Sequence, residues 1–67
     1  MNQTIIRCQY QLNDTYIDLK LNLTIAPNVG DLYLYYDGNR HILLVAETRQ
    51  IIETIDNTFL VVTFKKN

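Results

Sequence analysis

The stretch from Asp31 to Ala46, DLYLYYDGNRHILLVA, restricts what this chain can fold into more than any other. Two apolar arms flank Asp37-Gly38-Asn39-Arg40, and Gly38 and Asn39 both tolerate the positive φ that a tight hairpin turn requires. Pairing across that turn sets Tyr36 opposite His41, Leu34 opposite Leu43 and Leu32 opposite Val45 on one face. The other face then carries Tyr35 opposite Ile42, Tyr33 opposite Leu44 and Asp31 opposite Ala46. A strand with one wet face alternates apolar and polar residues, whereas this hairpin is apolar or aromatic on both sides. It must lie at the centre of the fold, show one face to a partner, or do both.

The flanking sequence supplies more strands. Thr4–Leu12 places Ile6, Cys8, Tyr10 and Leu12 on one face and Arg7, Gln9 and Gln11 on the other. Thr15–Ile25 has the cleanest alternation in the chain, with Ile17, Leu19, Leu21, Leu23 and Ile25 against Asp18, Lys20, Asn22 and Thr24. A turn at Asn13-Asp14 pairs Tyr10 with Ile17, Cys8 with Leu19 and Ile6 with Leu21, so the two apolar faces coincide. Leu19, Leu21 and Leu23 are therefore expected in the core. Ala26–Gly30 breaks the sheet, because Pro27 lacks a donor and Gly30 permits unusual backbone angles. Arg49–Ile55 reads either as a short helix lined by Ile51, Ile52 and Ile55 or as a strand; the β-branched content favours the strand, with Asp56-Asn57 turning into a last strand, Phe59–Lys65.

At 67 residues the chain makes one domain, 1–67. A chain of this size buries only about 60% of the surface it exposes when unfolded, so association with other copies would add welcome stability. The expectation is an all-β fold: five or six antiparallel strands in a meander, curled into a small barrel that bends near Pro27 or Gly30.

The run Pro27-Asn28-Val29-Gly30-Asp31, an aromatic strand, Asp37-Gly38-x-Arg40-His41 and a hydrophobic strand together resemble a pattern in small proteins of bacteriophages and mobile elements. Those proteins form SH3-like or related small β-barrels. The resemblance covers the central third of the chain. It implies a phage-type accessory protein, acting on host machinery or inhibiting another protein, and carries over no catalytic or binding residue.

Charge and cysteine content narrow the function classes. The net charge is −1, and Arg7, Lys20, Arg40, Arg49, Lys65 and Lys66 form no basic stripe, which disfavours nucleic acid. Cys8 is the single cysteine, so no internal disulfide forms and a reducing, cytoplasmic setting is expected. The sequence MNQTIIRCQYQL lacks the pattern of a signal peptide, and no apolar run approaches the ~20 residues of a membrane span, so no membrane partner is expected.

Candidate chemistry is sparse. Cys8 and His41 could make a nucleophile–base pair only within hydrogen-bond reach; Cys8 is expected to pack as a small hydrophobe and His41 to sit solvated at the turn exit. One Cys, one His and dispersed carboxylates do not supply a zinc ligand set. Asp31 and Asp37 lie about 20 Å apart along an extended strand at ~3.3 Å per residue, too far for a carboxylate pair. No catalytic residue, metal or cofactor is assigned, and the chain reads as a non-enzymatic binding protein.

The tyrosines offer the remaining handle. Tyr33, Tyr35, Ile42 and Leu44 share one face of the hairpin and are the expected contact surface, facing another copy or a target protein. In the alternative they cover the interior, and Leu32, Leu34, Leu43 and Val45 face outward. The runner-up function is a small barrel that binds single-stranded nucleic acid or a small ligand, with the tyrosines as stacking platforms.

Overall fold

The computed structural model describes residues 3–21 and 25–67. Five strands build one sheet: β1 (Gln3–Leu12), β2 (Thr15–Leu19), β3 (Leu32–Tyr36), β4 (His41–Glu53) and β5 (Asn57–Lys66). Their spatial order is β2-β1-β5-β4-β3. The all-β expectation holds. No helix is long and apolar enough to cross a membrane.

Both hairpins form as the turn chemistry dictates. Asn13 takes a φ of 57° between β1 and β2, a conformation asparagine tolerates better than most residues. Cys8 then pairs with Leu19 and Tyr10 with Ile17. Leu21 lies past the end of β2 and still packs, half-buried, on the core. The expected strand to Ile25 is thus cut short: Lys20 and Leu21 are not strand, Ile25 lies in a bend and is exposed, and Asn22, Leu23 and Thr24 fall outside the described residues. In the second hairpin Leu32 pairs with Val45, Tyr33 with Leu44, Leu34 with Leu43, Tyr35 with Ile42 and Tyr36 with His41. Only Gly38 takes the positive φ, at 103°. Asp37 closes the turn: its Oδ1 accepts the amides of Asn39 and Arg40 at 2.8 and 3.0 Å.

Three expectations are corrected. The sheet is mixed, not an antiparallel meander throughout, because β1 runs parallel to β5. Turn chemistry reports only on neighbours in sequence, whereas this pairing matches two distant strands by their faces. Ile6, Cys8 and Tyr10 lie beside Leu60, Val62 and Phe64, while Gln9 Nε2 donates to Thr63 Oγ1 on the opposite side at 3.0 Å. Second, the sheet is not closed into a barrel. The would-be closing strands β2 and β3 are five residues each and stay the two free edges of the sheet. Third, the strand favoured for residues 49–55 is present over Arg49–Glu53, but not as a separate strand. Arg49–Glu53 continues β4, which runs thirteen residues, and a bulge between Ala46 and Thr48 shifts its register. That extra residue exchanges the two faces, so Leu44 and Ala46 point inward before the bulge while Arg49 and Ile51 share a side with Val62 and Leu60 after it. The turn into β5 centres on Ile55-Asp56, one residue earlier than the expected Asp56-Asn57, with Thr54 N donating to the Asn57 carbonyl at 2.8 Å.

The core gathers at one end. Phe64, Leu44 and Val62 are fully buried, joined by Cys8, Tyr10, Leu19 and Ala46. β2 covers β1 only along Cys8–Leu12, and β3 covers β4 only along His41–Val45. Both short strands thus flank the same end, where the half-buried Ala26 and Pro27 lie beside Tyr33 and Phe64. At the other end β1, β5 and the second half of β4 run on without flanking strands among the described residues, which draws the molecule out to 40 × 25 × 21 Å.

Candidate protein-contact face

The second hairpin has an inner and an outer face, and they are the reverse of the expected assignment. Leu44 is 0% exposed, and Tyr33, Tyr35 and Ile42 pack half-buried against the core. The Tyr33 ring stacks at a tilt on Phe64 at 6.0 Å and on Tyr35 at 6.3 Å. These four residues line the inside of the curled sheet. The physical reason lies in β4 and β5: Ala46, on the same face as Leu44, pairs with the bulky Phe64, so this is the side on which the aromatic core of β1 and β5 must be covered.

The outer face carries the other three cross-strand pairs. Leu32 is 63% and Leu34 57% exposed, Leu43 and Tyr36 are exposed, and Val45 is half-buried between them. Directly opposed residues on one sheet face stand close enough to form a continuous apolar strip. Its tip is the Tyr36–His41 pair, with ring centroids 5.0 Å apart; the Tyr36 hydroxyl donates to the Gly38 carbonyl at 3.0 Å. Its far side is bounded by the Lys65–Glu47 ion pair at 3.3 Å. An apolar strip with a polar rim is the ordinary form of a contact surface. One sequence signal could have chosen this face: an imidazole at a turn exit sits in water, and His41 shares its side with Leu34 and Leu32.

The other candidate groups do not converge. Cys8 is buried on the inner face of β1, where burial first and the nearby Asp18 carboxylate second push its thiol above the usual range. His41 lies on the outer face of the hairpin, against Tyr36. The two are not brought together. Asp31 and Asp37 serve the backbone: Asp31 Oδ2 accepts the Asn28 amide at 2.9 Å, and the two amide bonds to Asp37 hold its carboxyl below the usual range. Among the described residues no group of three His, Cys, Asp or Glu could hold a metal ion. Between the two free edges an open cleft of about 420 Å³ remains, floored by Tyr10, Ile17, Tyr35 and Ile42 and rimmed by Asp37, Arg40 and Lys66.

No family model matches the chain, and neither a curated protein nor a solved structure matches it.

Proposed function

We infer that the chain is a non-enzymatic protein-binding domain whose contact face is the outer side of the β3–β4 hairpin: Leu32, Leu34, Leu43 and Val45, with Tyr36 at the tip. One observation carries this reading. A hairpin this apolar on both faces has one face committed to the core, and the other presents two leucines more than half exposed at adjacent positions on one strand face. Three aligned cross-strand pairs give a preformed surface, which lowers the ordering cost of binding a partner. The likeness of the central third to phage-type accessory proteins supplies the setting: a small protein that acts by occupying the surface of another. The buried free thiol of Cys8 fits a reducing compartment such as the cytoplasm.

The test uses Leu34→Lys and Tyr35→Lys. Leu34→Lys is expected to fold as the wild type does and to lose binding to any purified target first captured with the wild-type protein. Tyr35→Lys is expected to unfold, because it drives a charge toward the core. A folded Leu34→Lys that binds the target undiminished would remove the hairpin face from the reading.

A further inference from the structure

The half of β4 beyond its bulge has a side that no strand covers among the described residues. Thr48–Glu53 pairs with β5 alone, since β3 stops alongside His41–Val45. Ile51 there is 70% exposed. An uncovered strand edge is a template for another strand, and charged side chains, proline or a bulge commonly blunt it. Here the bulge lies before Thr48, and the run Thr48–Ile55 contains no proline. The two charges beyond the bulge, Arg49 and Glu53, are of opposite sign, so they repel some registers and favour another.

Its charges are arranged to select a partner. When a strand pairs with a second copy of itself about a two-fold axis normal to the sheet, the axis passes through one residue, and residues equidistant from it meet across the seam. With the axis at Ile51, that residue meets its own copy, Arg49 of each chain meets Glu53 of the other, and Gln50 meets Ile52. Both ion pairs lie directly across the seam, on the same side as the isoleucine contact. The neighbouring registers lack this match. An axis at Arg49 or at Glu53 opposes like charges, one at Gln50 sets Glu53 against Glu47, and one at Ile52 leaves both charges facing isoleucines. Like charges directly opposed are destabilising and opposite ones stabilising.

We propose that a second copy of this chain docks on the Thr48–Glu53 edge of β4, antiparallel and centred on Ile51, so that the two sheets become one. The seam is short, which places it among small, reversible interfaces whose dimer fraction depends on concentration. It is separate from the hairpin face, and either can fail alone.

Sedimentation velocity from low to high micromolar protein tests it. The wild type is expected to pass from monomer to dimer. Arg49→Glu and Glu53→Arg are each expected to weaken dimerisation roughly tenfold or more, since each turns two attractive pairs into two repulsive ones. Mixing the two single variants is expected to restore dimers, because an edge acidic at both positions then meets an edge basic at both. The double variant Arg49→Glu/Glu53→Arg is expected to dimerise as the wild type does, and so is Leu34→Lys, whose change lies on the hairpin face. A wild type that stays monomeric throughout would overturn the proposal. So would single variants that dimerise undiminished, or a mixture that stays monomeric. Loss of dimers in Leu34→Lys would move self-association to the hairpin face and overturn the β4 seam.

Discussion

The two ends of the sheet use the same kinds of residue and reach opposite states. At the covered end Val62, Phe64 and Leu44 lose all contact with water; at the bare end Ile51, Ile52 and Ile55 keep much of theirs, Ile55 at 94%. Hydropathy does not separate these groups. Coverage does: β2, β3 and the segment around Pro27 all gather at one end. A small chain can build one core, and where its short strands fall decides which apolar residues join it.

Substitution at the two ends measures that difference most directly. Phe64→Ala is expected to cost about 3–5 kcal/mol, the range for truncating a buried aromatic residue. Ile51→Ala is expected to change stability by no more than about 0.5 kcal/mol, as exposed positions do. Urea unfolding of dilute samples checks both, and an Ile51→Ala loss as large as that of Phe64→Ala would show that the bare end carries a core of its own.

Cysteine labelling sharpens the comparison from the covered side. Cys8 is buried there and its thiol is held toward the neutral form, so a thiol reagent is expected to react slowly with the native protein and fully in denaturant. Rapid labelling of the native state would mean that the covered end opens easily.

Smaller effects belong to the turn that positions β3. The carboxyl of Asp37 sits below its usual range because the Arg40 and Asn39 amides bond its ionised form. A folded-state value below the unfolded one contributes stability that is fully present above the ordinary carboxylate range and disappears as pH falls through the lowered value. Asp37→Ala should therefore lower the melting temperature modestly at neutral pH and converge on the wild type in acid. An unchanged gap at low pH would show that the aspartate acts without its charge. Another small change is expected at the bare end, where the Arg7 guanidinium lies 4.8 Å from the Phe59 ring centroid. Arg7→Ala is expected to cost less than about 1 kcal/mol by the same unfolding measurement.

What could be read in advance followed from locality. The registers of both hairpins were legible because Asn13-Asp14 and Asp37-Gly38 fix them within a few residues. The parallel β1–β5 pair was not, since no turn links those strands and their apolar faces match many possible neighbours. The continuity of residues 49–53 with β4 was hidden by the bulge: an extra residue near Glu47 interrupts the two-residue alternation, so one long strand reads as a strand followed by a second segment, favoured as a strand by its β-branched content. The proposed contact face was half legible. That the hairpin had one face to spare followed from its composition; which one depended on the Ala46–Phe64 pair, contributed by strands that the hairpin itself does not specify.

The ladder between β1 and β5 also bears on the time the chain needs to reach its native state. Each hairpin closes a loop of a few residues, an event of microseconds. The ladder joins partners as far apart as Gln9 and Thr63, 54 positions along the chain, and must meet the entropic cost of that long closure before its contacts return anything. Topologies dominated by such distant pairings fold in milliseconds to seconds. The β1–β2 hairpin and the β3–β4–β5 meander are then expected to form early and separately, and their meeting along β1 and β5 to set the pace.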